Sequence, residues 1–226
     1  MNLSSFIDVL HSWPGLLSGL GMTVVLTLIS CLLGVILGTL CAWASQKGPK
    51  PLRWFIRGYV EFFRNTPFLG QIFFIFFGLP ALGLRMDPFT AALVALTINL
   101  TAYACEIVRA GIEATPAGQF EAASSLGLKP AQVFFLVIIP PALQRVWPAM
   151  TSQLVIILLA SALCSQISVA ELSYEANMIA SRTFRNFEAY IVVTLIYLGL
   201  AISFRALLSW IGRRFVYGEF ATVGQR

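Results

Sequence analysis

Long apolar runs separated by short polar segments dominate this sequence. The first run, residues 16 to 43, is longer than the ~20 residues that a helix needs to cross a bilayer, and no Lys or Arg precedes Lys47. A cleaved signal peptide has a basic start and a shorter apolar core. We therefore interpret this run as the first membrane-spanning helix.

Further apolar runs predict four more spans at residues 54 to 79, 89 to 108, 131 to 167 and 190 to 210. The run from 131 to 167 is too long for one straight span, and it carries Pro140, Pro141 and Pro148, which predict kinks. We expect its membrane crossing at about residues 150 to 167. The pattern predicts an all-α integral membrane protein with five transmembrane helices in a single domain, residues 1 to 226.

Composition supports the membrane assignment. Hydrophobic residues make up 58% of the chain, charged residues 11%, and the mean hydropathy is +0.82. Soluble domains carry roughly 25% charged residues. The four cysteines lie in apolar stretches without metal-ligand spacing, so we expect packing roles and no metal site.

Basic residues predict the orientation, because short cytoplasmic loops are enriched in Lys and Arg. One side of the predicted topology carries most of them: Lys47, Lys50, Arg53, Arg57, Arg109, Lys129, Arg213, Arg214 and Arg226. The other side carries Arg85, Arg182 and Arg185. We expect the first side and the C-terminus to be cytoplasmic and the N-terminus to be periplasmic. The net charge of +5 then needs no nucleic-acid partner.

A polar insert between the third and fourth spans has its own helix signals. Thr115 is a candidate cap, Pro116 suits a first helical position, and Gly127 suits a left-handed stop. These signals predict a short helix at about residues 116 to 126 on the cytoplasmic side. An ordinary interfacial helix and a partner-binding helix both fit this pattern.

The insert also carries a motif. EAASSLG followed by VIIP resembles the signature EAA-x3-G-x9-I-x-LP of the permease subunits of ATP-binding-cassette (ABC) importers, with Val137 and Ile139 at its Ile and Leu positions. The stretches FFRNTPFLGQIFFIFFGLP and TAYACEIVRAGIEATPAGQF resemble the polar amino-acid permease family, which serves histidine, arginine, glutamine and glutamate uptake. The resemblance runs from about residue 20 to 214.

That resemblance implies a type I ABC importer permease fold and a coupling helix that docks on an ATPase. The coupling residues carried over by motif are Glu121, Ala122, Ala123, Gly127 and Pro140. The implied partners are two ATPase subunits, a periplasmic amino-acid-binding protein and a second permease subunit in the bacterial inner membrane. Because the chain lacks a Gly-x4-Gly-Lys-Ser/Thr loop, we expect ATP and Mg²⁺ on the ATPase and no enzymatic activity or cofactor here.

Polar residues inside the predicted spans are candidates for a substrate pathway, because their burial in hydrocarbon is costly. They are Arg64, Asn65, Thr66, Gln71, Asn99, Tyr103, Thr151, Gln153, Ser161, Ser165 and Gln166. For some polar residues of the spans, a purely structural role is the alternative to a role in the pathway. Glu106 and Arg109 are spaced to form an ion pair on one helix, and Asn99 can bond between helices.

Other interpretations remain open at this stage. Relatives commonly carry a polar pair where this chain has Leu159 and Ala160, which favours a heterodimer over a homodimer. The resemblance implies that the binding protein docks near the outer segment 168 to 188, whose charges include Glu171. The same charges also fit a solvated helix with weak surface pairs, and both interpretations can hold together. A permease for another small solute is the nearest alternative function, and a secondary transporter is a more distant one.

Overall fold

The computed structural model describes residue 9 and residues 11 to 217, with the side chains of residues 117, 120 and 135 left out. Its helices are α1 (Trp13–Lys47), α2 (Lys50–Arg64), α3 (Phe68–Phe73), α4 (Pro88–Glu113), α5 (Ala117–Ser125), α6 (Pro130–Gln132), α7 (Ile139–Ala160), α8 (Leu172–Thr183) and α9 (Asn186–Ile211). Wider or tighter helical turns extend several of them, at Phe74–Gly78, Leu79–Leu82, Val133–Ile138, Ser161–Ile167 and Gly212–Val216. Arg226, one of the basic residues used to predict the orientation, lies outside the described residues.

Within the described chain, four helical segments are long and apolar enough to cross a membrane: Trp13–Lys47, Pro88–Glu113, Pro130–Ile167 and Asn186–Val216. A bent pair, Lys50–Arg64 with Phe68–Leu82, makes a fifth span if it is counted as one. All described regular structure is helical, as predicted.

The predicted second span is not one straight helix. α2 and the segment from Phe68 meet at an angle of 109°. Pro67 lacks a backbone N–H, and a proline disfavours helical geometry at the residue before it, here Thr66. The chain therefore turns at residues 65 to 67. α2 then has a charged face and exposed Trp54 and Phe55, as expected for a helix lying along the membrane surface.

The fourth predicted span is one continuous helical segment with local distortion. Pro140 and Pro141 remove the donors that would bond to carbonyls one turn earlier, and the turns of Val133–Ile138 widen to the π type there. Pro148 lies inside α7. The bend is thus spread over the proline region.

α1 and α4 form the closest helix pair through small residues. Gly34 and Gly38 lie one turn apart on the buried face of α1. A Cβ at Gly38 would lie 2.5 Å from the Cβ of Ala104 and 3.0 Å from the backbone oxygen of Thr101. Close approach of small residues is how membrane helices gain packing energy without a hydrophobic drive. α4 is consequently the central helix of the chain.

The bundle has two chemically different ends. The C-terminal ends of α1, α4 and α9 lie together with α5 and α6, and we call this the basic end because Lys47, Arg109 and Arg213 lie there. α8 lies at the opposite end, against the N-terminal part of α1 and against α9. In the most apolar stretch of each helix, 67% of the residues of α4 are buried, but only 17% of those of the segment Asn186–Val216. α9 is therefore the peripheral span.

Candidate functional site

The polar insert forms a short helix that lies off the spans at the basic end. α5 covers Ala117–Ser125, somewhat shorter than the predicted residues 116 to 126. Pro116 occupies the N-cap position, and Gly127 follows the helix with φ of 74°, the left-handed conformation that glycine tolerates best. The expectation that Thr115 caps the helix is wrong, because its hydroxyl donates back to the Gly111 carbonyl at 3.3 Å.

Arg145 fixes the start of this insert. Its Nη1 donates to the Ala114 carbonyl at 3.1 Å and to the Thr115 hydroxyl at 3.2 Å. The end of α4 is thereby tied to α7 across the connection that carries α5. Sequence analysis assigns no role to Arg145, because this residue lies inside the apolar run from 131 to 167.

Most of α5 is exposed. Ala123 is 3% exposed and anchors the helix, whereas Glu121, Ala122, Ser124 and Ser125 are exposed. Leu126, just beyond the helix, is 80% exposed although it is large and apolar. An apolar side chain presented outside the spans is typical of a surface that a partner covers.

Cavities flank α5 on both sides. One of about 600 Å³ lies between α5 and the proline region and is lined by Ala122, Ala123 and Pro140. Another of about 280 Å³ is lined by Lys47 and Glu121. Of the predicted coupling residues, Ala122, Ala123 and Pro140 therefore share one cavity and Glu121 lines the other. Gly127 follows the helix and lines neither cavity.

Gln71 holds the bent pair together. Its Nε2 donates to the Phe63 carbonyl at 2.9 Å and to the Thr66 hydroxyl at 2.8 Å, so it spans the break. Its Oε1 accepts from Asn99 Nδ2 at 2.9 Å. The bend is thus bonded to α4 by buried amides, and Asn99 does bond between helices.

Arg64 takes part in a network of ion pairs with residues of α4. Arg109 pairs with Glu106 through two contacts of 2.5 and 3.0 Å and with Glu113 at 2.6 Å. Arg64 Nη1 lies 3.5 Å from Glu106, and its guanidinium carbon lies 5.6 Å from the centre of the Tyr103 ring. The pair of Glu106 and Arg109 is therefore one part of a larger network, which the sequence did not indicate.

Apart from Thr66, whose hydroxyl accepts from Gln71, the remaining pathway candidates are not brought together. The side chains of Asn65 and Thr66 bond to carbonyls of α2, and the hydroxyls of Ser161 and Ser165 bond to their own helical turns. Thr151 and Gln153 are each 8% exposed, whereas Gln166 is exposed. The candidates from Thr151 to Gln166 are spread along α7 and the turns that follow it.

The opposite end corrects one interpretation. Glu171 is not a solvated loop charge, because it is 0% exposed. Its carboxylate accepts from the Tyr174 N–H at 2.9 Å, which caps α8, and from the Tyr197 hydroxyl on α9. The Leu172 N–H donates to the Thr23 hydroxyl of α1 at 3.2 Å. Sequence reasoning missed this contact because it joins three separate segments.

Comparison with known proteins decides the family. The family model described as "Binding-protein-dependent transport system inner membrane component" matches residues 34–217. The chain belongs to this family. The predicted resemblance to amino-acid importer permeases and the all-α permease fold are thereby confirmed, and the chain is a multi-pass membrane permease subunit.

Members of this family with assigned roles are similar over most of the chain. The L-cystine transport system permease protein of Bacillus subtilis (strain 168) is 39% identical over 75% of this chain and 73% of its own length. The probable glutamine ABC transporter permease protein of the same organism is 35% identical over 95% of this chain and 98% of its own length.

Solved structures show the same architecture. The crystal structure of an amino acid ABC transporter with histidines matches with a TM-score of 0.83 and 39% identity over 93% of this chain and 98% of that chain. An inward facing conformation of a methionine ABC transporter matches with a TM-score of 0.75 at 21% identity, over 88% of this chain and 95% of that chain. The second match indicates a shared fold only.

Proposed function

We propose that this chain is the membrane-spanning permease subunit of an ATP-driven importer that moves a polar or charged amino acid. The observation that carries the proposal is α5, a short helix outside the spans that bears the importer signature on an exposed surface beside two cavities. Family membership and the named amino-acid permeases among its relatives support the substrate class.

The partners follow from this role. Two ATPase subunits bind ATP and Mg²⁺, and one of them docks on α5 of each permease subunit. Glu121 offers a carboxylate for a charge-assisted hydrogen bond, and exposed Leu126 offers apolar area beside it. Arg145 ties the base of the insert to α7, so movement of α5 is passed to the spans.

The assembled importer contains a second permease subunit, and a heterodimer is favoured over a homodimer. It lies in the bacterial inner membrane with the basic end cytoplasmic and the N-terminus periplasmic. A periplasmic amino-acid-binding protein delivers the substrate at the α8 end. The bent pair and α4 provide the polar surface of the pathway, with Arg64, Gln71, Asn99 and Tyr103 as its core.

A charge reversal on α5 tests this role. The complex is reconstituted in vesicles with the Glu121→Lys variant and with the Glu188→Lys variant, which reverses a charge at the start of α9 at the opposite end. We expect Glu121→Lys to lose at least about tenfold in uptake, the effect of ~1.4 kcal/mol of docking energy, and to lose its ATPase subunit more readily on washing. Glu188→Lys should keep the ATPase subunit and its basal ATP hydrolysis at the wild-type level. Wild-type uptake and ATPase activity in the Glu121→Lys complex would refute the proposal.

A further inference from the structure

A polar cavity of about 390 Å³ lies between α7 and α9 at the basic end, apart from α5 and the bent pair. Its lining includes Trp147, Thr151 and Ser152 from the α7 side and Arg205, Ser209 and Arg213 from the α9 side. At one end of the cavity, Trp147 of α7 packs closely against the end of α9. The Trp147 Nε1 donates to the Leu208 carbonyl at 3.2 Å, and a Cβ at Gly212 would lie 2.2 Å from that nitrogen.

Two arginines give the cavity its charge. Arg205 lies within the last apolar segment, and Arg213 follows eight residues later, about 12 Å along a helix. The ion pairs found in the described part of the chain involve Arg64 and Arg109, and neither Arg205 nor Arg213 has a carboxylate within 4.0 Å there. An arginine in a membrane span is costly unless it meets an anion or a polar neighbour.

Hydroxyl groups lie in and beside the cavity. The Thr151 hydroxyl is buried, Thr151 is 8% exposed, and this oxygen has no partner among the described residues. The hydroxyls of Ser152 and Ser209 line the same space.

The surroundings indicate where an anion would come from. α9 is the least buried span, and its outward side chains are apolar, with Ile202 at 61% and Leu207 at 47% exposure. Trp210 and Phe215 flank the basic end of the cavity at 53% and 71% exposure. Exposed aromatic residues at this level are typical of the membrane interface, where lipid headgroups lie.

We propose that this cavity binds the phosphate of an anionic phospholipid headgroup. Arg205 and Arg213 pair with the phosphate, and Ser152 and Ser209 line the same space. Basic pockets between transmembrane helices recognise anionic headgroups in this way. The volume of about 390 Å³ suits a headgroup, since small-molecule sites are commonly ~300 to 1,000 Å³. The lipid then seals α9 against α7 at the basic end.

Lipid binding to the purified complex tests the proposal. The complex, with all subunits that co-purify, is titrated with phosphatidylglycerol or with zwitterionic phosphatidylcholine, and bound lipids are counted by native mass spectrometry. We expect phosphatidylglycerol to bind the wild type at least about tenfold more tightly. Each of Arg205→Gln and Arg213→Gln should weaken it about fivefold, since one arginine near the surface contributes a factor of that size.

Matched variants separate this site from general surface charge. Arg214→Gln removes the neighbouring exposed arginine, which does not line the cavity, and should bind phosphatidylglycerol within about twofold of the wild type. Arg205→Lys should keep most of the preference, because it keeps the charge. If Arg205→Gln reduces assembly, the wild-type preference and Arg213→Gln decide the question.

Defined results would overturn the proposal. One is equal binding of the two lipids by the wild type. Another is an equal loss in Arg214→Gln. A third is displacement of phosphatidylglycerol by inorganic phosphate, which would indicate a soluble-anion site, and a fourth is displacement by the transported amino acid, which would place the cavity on the substrate pathway.

Discussion

α5 and α8 are both short helices set between long spans, but they are built in opposite ways. α8 is capped by the buried Glu171 carboxylate and is bonded to α1 through Thr23 and to α9 through Tyr197. α5 has no side-chain cap, and Ala123 is the buried residue among its described side chains. α8 is therefore a fixed part of the bundle, whereas α5 keeps its surface for a partner.

The largest expected effect on this comparison comes from removing the α8 anchor. Glu171→Ala leaves the Tyr197 hydroxyl buried without its acceptor and removes the cap of α8. We expect the free energy of unfolding to fall by about 3 kcal/mol, from a lost cap and a buried unpaired group. Thermal unfolding of the complex in lipid nanodiscs measures it. Ser181→Ala, at an exposed position of the same helix, is the control and should cost under about 0.5 kcal/mol.

A smaller effect of a different kind is expected at α5. Leu126→Ser removes an apolar side chain that is 80% exposed, so stability should change by less than about 0.5 kcal/mol. The permease should nevertheless retain about tenfold less ATPase subunit after a salt wash, since a docked apolar anchor contributes more than ~1 kcal/mol. Leu82→Ser, 74% exposed at the end of the bent pair, is the matched control and should retain the ATPase fully.

If the Leu126→Ser and wild-type complexes retain the ATPase subunit equally, α5 does not use this surface to bind a partner, and its contrast with the fixed helix α8 is lost. A large loss of stability in Leu126→Ser would do the same, because it would show that α5 is held as firmly as α8.

The smallest expected effect is a pH dependence at the α8 end. Burial raises the pKa of the Glu171 carboxyl, although the Tyr197 hydroxyl opposes the shift. A carboxyl whose folded pKa exceeds its unfolded value of about 4.3 contributes stability below that pH, and this contribution is lost as pH rises through the folded pKa. Glu171→Gln does not titrate. The melting temperature of the wild type minus that of Glu171→Gln should therefore fall from about pH 4 upward.

Nanodisc melting curves across this pH range check the sign. A difference that stays flat or rises with pH would show that Glu171 is ionised in the fold at no cost.

The apolar runs were enough to predict the spans approximately, because hydrocarbon burial depends on local composition. Gly127 and the motif around Glu121 likewise identified α5, since a left-handed stop has a local signature. The burial of Glu171 could not be predicted, because it depends on Thr23 and Tyr197, which are distant in sequence. The same holds for Arg145, whose acceptors lie 30 and 31 residues away.

The break at residues 65 to 67 was hidden for another reason. Pro67 was visible, but the apolar residues on both sides made a single span the simpler interpretation. The angle of 109° is stabilised by Gln71, which bonds across the break and to Asn99, so the bend needs a tertiary partner that local sequence does not identify.

The central claim is that α5 transmits ATPase closure to the spans, and Gly127 tests it most directly. Gly127 and Gly83 both have left-handed φ, 74° and 85°, and a Cβ at either position meets nothing within 4 Å. Replacing either by Leu therefore carries the same backbone strain of roughly 1 to 2 kcal/mol. Substrate-stimulated ATPase activity is measured for both variants in the reconstituted complex. Loss of stimulation in Gly127→Leu with normal stimulation in Gly83→Leu is the predicted result, and equal activities in the two variants would contradict the account.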